Sequence, residues 1–279
     1  MDINKITSIG RPLDFNYLTN KLISIIALLT FAVIVLASAI NGETNYANLI
    51  TGIRAGLLIF LLWAISRELD PDNEWSAFVT VFLALAVSIF SEIPPLLSFV
   101  WLVILLRTVN HSTGMPAGIM DSLLFAGIGI ILAYNISCIY GILTATGFIL
   151  DSRLKDPAKY HLVIGIILLV TSVVILIEKD VVVSTYPLEN MLLFVFGTAL
   201  FLPVIMGATK LESVGDRTGK TLDSARFKLA RIMTILIFFG MAIMSGEINA
   251  QLVIFMFCIF AGIGIYRIGV SPLLHTSKH

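Results

Sequence analysis

Residues 208–231 read ATKLESVGDRTGKTLDSARFKLAR, the longest polar break in an otherwise apolar chain. The stretch holds Lys210, Arg217, Lys220, Arg226, Lys228 and Arg231, a third of the chain's 18 Lys and Arg. Short basic loops stay on the cytoplasmic side of a membrane, so this loop sets the direction of every apolar run beside it. The runs are there to be set. Of 279 residues, 58% are hydrophobic and 13% charged, where a soluble domain has about 25% charged. So few polar residues cannot wet a globular surface, but lipid can be the solvent. The net charge of zero gives no reason to expect a nucleic-acid partner. Cys138 and Cys258 each sit inside an apolar run, with no spacing that suits zinc or a disulfide framework.

Upstream of the basic loop, residues 162–177 and 191–207 form a pair of apolar runs joined by EKDVVVSTYPLEN. Downstream, residues 232–245 and 251–268 form another, joined by Gly246-Glu247-Ile248-Asn249. At the start of the chain, residues 1–21 are polar and basic, with no signal peptide, and 22–40 are apolar throughout. NGETN at 41–45 is a turn, and a second run reaches Ser66 with Arg54 inside it. RELDPDNEW follows at 67–75. Residues 76–109 make two short spans, split by Ser91-Glu92-Ile93-Pro94-Pro95. Residues 117–150 are long enough for one tilted helix or two short ones. The next loop, DSRLKDPAKYH at 151–161, decides between them: two helices put Arg153, Lys155 and Lys159 on the cytoplasmic side, and one helix puts them outside.

The expected fold is therefore all-α: a polytopic integral membrane bundle of ten transmembrane helices in five hairpins. It forms one transmembrane domain over 1–279, with 1–21 and 208–231 cytoplasmic. Both termini face the cytoplasm, and the membrane is the plasma membrane. All Lys and Arg but Arg54 and Lys179 then lie on or near the inner side. A nine-helix bundle with 117–150 as one span is the alternative. A weak internal repeat also shows. Gly10-Arg11-Pro12-Leu13-Asp14 matches Gly219-Lys220-Thr221-Leu222-Asp223, and Gly-Glu-x-Asn recurs at 42–45 and 246–249. Duplicated helix units are common in transporters, although short turn motifs also recur by chance.

Four carboxylates crowd the 67–75 loop: Glu68, Asp70, Asp72 and Glu74. Oxygen ligands of that density suit Mg²⁺, which often bridges to phosphates. Glu212, Asp216 and Asp223 lie on the same expected side. Glu212-Ser213-Val214-Gly215-Asp216-Arg217 resembles the later Asp-rich motif of the intramembrane prenyltransferases, which bind a magnesium diphosphate between two such motifs. The resemblance implies a Mg²⁺ site at Asp70, Asp72 and Asp216. It covers only these few residues, and the family's first motif, Asn then Asp at four-residue steps, is absent from RELDPDNEW. The plainer reading is a helix start, with Asp72 or Asn73 as N-cap. Gly219-Lys220-Thr221 ends like a P-loop, but position 214 is Val and no strand precedes it. Gly219 reads instead as a helix stop, with Thr221 or Asp223 capping the next helix.

Arg54 is the sharper signal, because a charge inside an apolar helix usually marks a site or a pair. Glu43, Glu92 and Glu247 sit at expected outer turns, as do Glu178, Asp180 and Glu189. They suggest a cation-attracting vestibule with Arg54 paired to one Glu or to backbone carbonyls at a broken helix, or else a snorkelling Arg54 and merely complementary carboxylates. His111 reads as interfacial and solvated. No Ser/His/Asp arrangement is legible, so hydrolase chemistry has no support. The expectation is transport of a small molecule or ion through the bilayer, with no cofactor. The alternatives are a membrane enzyme acting on a lipid-linked phosphate or prenyl diphosphate with Mg²⁺, and a non-catalytic subunit.

The charge argument makes a topological prediction. Cysteines placed at Ser152 and Ser213 should resist an impermeant thiol reagent applied to intact cells. Labelling at Ser152 would mean that 117–150 crosses once.

Overall fold

A computed structural model describes residues 7–11, 13–40, 46–178, 187–207, 211–244 and 246–269, without the side chain of Glu247. Among them the chain is all-α. Its helices are α1 (Leu18–Ile40), α2 (Tyr46–Leu69), α3 (Ser76–Ser88), α4 (Leu96–Asn110) and α5 (Ile119–Asn135). They continue with α6 (Cys138–Asp151), α7 (His161–Glu178), α8 (Leu188–Gly207), α9 (Ser224–Ala242) and α10 (Glu247–Gly269). Five of these, α1, α2, α7, α8 and α10, are long and apolar enough to cross a membrane. The others are shorter or more polar.

Large apolar side chains cover the outside. On α7, Val163, Ile166, Ile167, Val170, Val174 and Ile177 are all exposed, and α1 does the same with Leu28, Leu29, Val33 and Leu36. The three- and four-residue steps put them on a common helix face. In water such faces would drive association, whereas lipid tails solvate them. The chain is thus a multi-pass, all-helical protein of the integral membrane type.

The run at 117–150 is broken into two helices. Asn135 ends α5, and Ser137 opens α6 by accepting a hydrogen bond from the Ile139 amide at 3.3 Å. Other local expectations need correction. The α3 N-cap is Trp75, with no side-chain cap, so neither Asp72 nor Asn73 plays that part. Asn73 instead donates to Asp70 Oδ1 at 3.1 Å. Asp223 does cap α9, accepting from the Ala225 amide at 2.8 Å. Gly219 is not a helix stop. It sits at φ +62°, a left-handed conformation that suits glycine, in a tight hairpin bridged by Val214 and Thr221. Above all, α9 begins at Ser224, so the last third of the basic stretch is helix and carries Arg226 and Arg231 inward. The apolar run at 232–245 does not by itself show that these arginines turn inward, because a charge can be buried only where a counter-charge meets it.

The described residues fall into two compact units. One takes residues from 101–186 and 205–245 with the segment before Leu13; the other takes 13–100, 187–204 and 246–279. In the first, Trp101 donates to Thr144 Oγ1 at 2.8 Å and meets Tyr140 edge-on, their rings 4.8 Å apart. A Cβ on Gly147 would come within 2.5 Å of Leu105, so α4 and α6 pack in close contact there. In the second, α10 packs by glycine. A Cβ on Gly262 would lie 2.5 Å from the Thr80 amide nitrogen of α3, and one on Gly264 would lie 2.2 Å from the Leu200 carbonyl of α8. These obstacles are backbone and cannot rotate away, so small residues are what let the helices approach.

Gly262→Ala should therefore cost roughly 1–3 kcal/mol, the range of overpacking in a filled core. Gly127→Ala is the control, since nothing lies within 4 Å of that position. It should gain about 0.5–1 kcal/mol from helix propensity. Thermal unfolding in detergent measures both. Equal midpoints for the two variants would contradict the close approach.

Candidate functional site

One carboxylate organises the polar end of the first unit. Asp151, the last residue of α6, is 0% exposed. Its Oδ1 accepts from Arg226 Nη1 at 2.7 Å, and its Oδ2 accepts from the Ala158 amide at 3.2 Å. The ring of His161 places Nδ1 2.6 Å from Oδ2, and His111 places Nε2 2.7 Å from Oδ1. The His161 contact is a directed hydrogen bond. The His111 contact is close but poorly aligned, an electrostatic approach rather than a bond. These groups come from the end of α4, the end of α6 and the starts of α7 and α9, so the chain is pinned by four elements at one point.

The next groups out complete the set. His161 Nε2 lies 2.8 Å from Ser122 Oγ on the first turn of α5, and Ser122 is 1% exposed. Arg226 also donates to the carbonyls of Val109, at 2.9 Å, and of Lys155. Tyr160 donates to the Ala117 carbonyl. Burial raises the Tyr160 phenol above its ordinary value; a bond from Ser122 opposes the rise, and the Asp121 charge adds to it. Phe148 and Tyr160 flank the His161 ring at 4.6 and 5.3 Å. An arginine cannot shed its proton to escape burial, so Asp151 must stand opposite it as a carboxylate.

A cap of short segments lies at the same end. Ser8 donates its amide and hydroxyl to Asp121 Oδ2, at 2.6 and 2.5 Å. Thr113 Oγ1 donates to the Ser8 carbonyl at 3.0 Å. The 214–221 hairpin docks on the same loop through Arg217, whose amide donates to the Thr113 carbonyl at 3.1 Å. Its guanidinium donates to the Thr7 carbonyl. Arg11 and Asp216 close the cap with a two-pronged pair.

Three of these placements correct the sequence reading. His111 is not solvated; it is 7% exposed. Ser122, His161 and Asp151 do form a Ser/His/Asp chain of hydrogen bonds. Sequence could not show it, since Ser122 is 39 residues from His161 and no motif spans them. Arg226 looked like one more positive-inside charge. The available signal was an Asp and a His bracketing one basic loop at two helix ends.

The residues singled out for binding lie elsewhere. Arg54 Nη2 donates to the Ile93 carbonyl at 2.8 Å, in the turn between α3 and α4. Glu92 accepts from Gln251 Nε2 at 3.1 Å. Glu43 and the side chain of Glu247 fall outside the described residues. Asp70 is 0% exposed and receives Arg267 at 2.9 and 3.2 Å. Asp216 receives Arg11, and Asp72 is exposed. Among the described residues, no group of three or more His, Cys, Asp or Glu is arranged to hold a metal ion. Compared with known families, curated proteins and solved structures, the chain matches none.

The two acidic anchors of the first unit should differ sharply in weight. Asp151→Asn strips the counter-charge from a buried Arg226 and should cost about 3–5 kcal/mol. Asp216→Asn breaks a pair whose side chains are 27% and 41% exposed, and should cost no more than about 1 kcal/mol. Detergent melts of both variants make the comparison. Similar losses would show that the Asp151 cluster is not the anchor.

Proposed function

We propose that this chain carries a small molecule or ion across the plasma membrane. The observation that supports the reading best is the Asp151–His161–His111–Arg226 cluster, buried where several helices of one unit end. Ionisable groups buried within a transmembrane bundle are costly, and they mark ion or substrate pathways. A merely structural anchor needs one acid and one base. This cluster adds two imidazoles, the side chains whose ordinary titration falls near physiological pH.

The arrangement proposed around it is ten membrane-crossing helices in five hairpins, with both termini and the cluster on the cytoplasmic side. The nine Lys and Arg of loops 151–161 and 208–231 support that orientation. Arg54 and Glu92, with Glu43 and Glu247, are the proposed outer entrance. Arg54 fastens the Ile93 turn, and Glu92 offers a carboxylate beside it. The recurring Gly-Glu-x-Asn turns fit duplicated helix units of the kind that build carriers.

A second reading is a membrane enzyme, favoured by the Ser122–His161–Asp151 chain, which has the bond order of an acyl-transfer triad. Against it, Ser122 is almost fully buried, and its hydroxyl also lies 2.9 Å from the Gly118 carbonyl.

One experiment separates them. The purified protein is screened by thermal shift against sugars, amino acids, nucleosides and inorganic ions, and stabilising compounds are tested for uptake into proteoliposomes. Transport predicts accumulation of at least one compound by wild-type vesicles, and none by empty vesicles. No stabilising compound and no uptake, with covalent labelling of Ser122 by a fluorophosphonate, would replace transport by the enzyme reading.

A further inference from the structure

We infer that His161, held between Asp151 and Ser122, is a reversible proton-binding site, so that the transport proposed above is coupled to protons. The inference rests on that reading of the protein and names its coupling ion. It comes from counting donors and acceptors.

The Asp151 carboxylate has four acceptor positions. Arg226 and the Ala158 amide donate to two of them, and the remaining two face His161 Nδ1 and His111 Nε2. Nδ1 of His161 therefore carries its hydrogen whatever the charge of the ring. All the freedom lies at Nε2, which faces Ser122 Oγ at 2.8 Å. That hydroxyl has one hydrogen and three acceptors within reach: Nε2, the Gly118 carbonyl at 2.9 Å, and the Tyr160 phenol oxygen.

Two arrangements satisfy both Nε2 and the Gly118 carbonyl. With a proton on Nε2, the ring donates to Oγ, and the hydroxyl donates to the Gly118 carbonyl. Without it, the hydroxyl turns and donates to Nε2, while the Gly118 carbonyl keeps the Ser122 amide at 2.9 Å. The Nε2 lone pair takes up or gives back one proton, and no heavy atom moves. Buried polar groups normally exact a penalty when a partner is lost. Here neither state loses one. A group meant only to hold helices together has no need of a rotor with two satisfied positions.

The surrounding charges limit the site to one proton. With both imidazoles neutral, Arg226 and Asp151 cancel. A proton on His161 brings the cluster to one positive charge, and His111, facing the same carboxylate, then resists a second. From α5, Asp121 is occupied by Ser8. The Tyr160 hydroxyl points to the Ala117 carbonyl, and Lys155 presents its backbone carbonyl to Arg226. The rings of Phe148 and Tyr160, at 4.6 and 5.3 Å, add apolar walls against His161. A unit of charge gained or lost in such a dry place is large enough to bias one helix arrangement over another.

The test reads the proton directly. The chain has four histidines, and His275→Gln with His279→Gln leaves His111 and His161 as the only two ring signals. Nitrogen-15 labelled histidine in lipid nanodiscs should show His161 passing from imidazolium to the neutral Nδ1–H tautomer between pH 5 and 9. Ser122→Ala removes the partner of Nε2, hurting the charged ring more than the neutral one, and should lower the His161 midpoint by about one unit or more. Ser122→Thr keeps a hydroxyl and should hold the midpoint. A ring in one state throughout, a neutral ring protonated at Nε2, or an unmoved midpoint in Ser122→Ala would each overturn the site. If Ser122→Ala does not fold, the wild-type tautomer and titration decide. The two readings fail separately. Uptake that ignores a pH gradient, with a static His161, ends the proton site and leaves transport standing. A titrating His161 without any uptake does the reverse.

Discussion

A carboxylate with no access to water must be surrounded by donors, and in this protein Asp151 sets that requirement. Desolvating an acid and a base costs several kcal/mol per ion unless the geometry restores what water supplied. Arg226 alone cannot restore it, because a carboxylate accepts at four positions. The backbone of Ala158 and the ring of His161 complete the set, with His111 drawn close. Each partner lies on a different helix or loop. The ends of α4, α6, α7 and α9 thus share one address, and the short apolar helices between them acquire a register that lipid-facing leucines could not specify.

The second unit solves a similar problem with a different cast. Asp70, just beyond α2, is equally buried and is held by Arg267 of α10 and by Asn73. Nearby, Ser66 and Thr80 share a hydrogen bond at 3.0 Å, where Gly262 lets α10 approach α3. Its described partners are an arginine and an amide, whereas those of Asp151 include the His161 ring. The imidazole is what makes the first unit's anchor a candidate proton site.

The same accounting explains why the conspicuous residues recede. Asp70 and Asp216 looked like ligands because acidic residues cluster in sequence. In space each is answered by an arginine, Arg267 and Arg11. Arg54 was expected to meet either a Glu or backbone carbonyls, and its guanidinium reaches the Ile93 carbonyl, at a turn where Pro94 and Pro95 cannot offer amide donors of their own. Local density of charge is poor evidence of a site, since the partner that neutralises it can come from anywhere in the chain.

By itself the sequence determined the solvent and the class of fold. Apolar runs of spanning length and basic residues gathered in alternate loops can be read one residue at a time, because each reports its own transfer energy between water and lipid. The break between α5 and α6 was legible in that way, from the expectation that Arg153, Lys155 and Lys159 share a side with the other basic loops. The start of α9 was legible in Asp223 as a cap, but the burial of Arg226 and His111 and the hydrogen-bond chain from Ser122 to Asp151 were not. Those depend on the meeting of groups 10 to 117 residues apart. A charged residue's hydropathy says that it avoids lipid, but not whether water or a buried counter-charge receives it. Only tertiary structure decides that choice, because the free energy belongs to the pair and not to either residue.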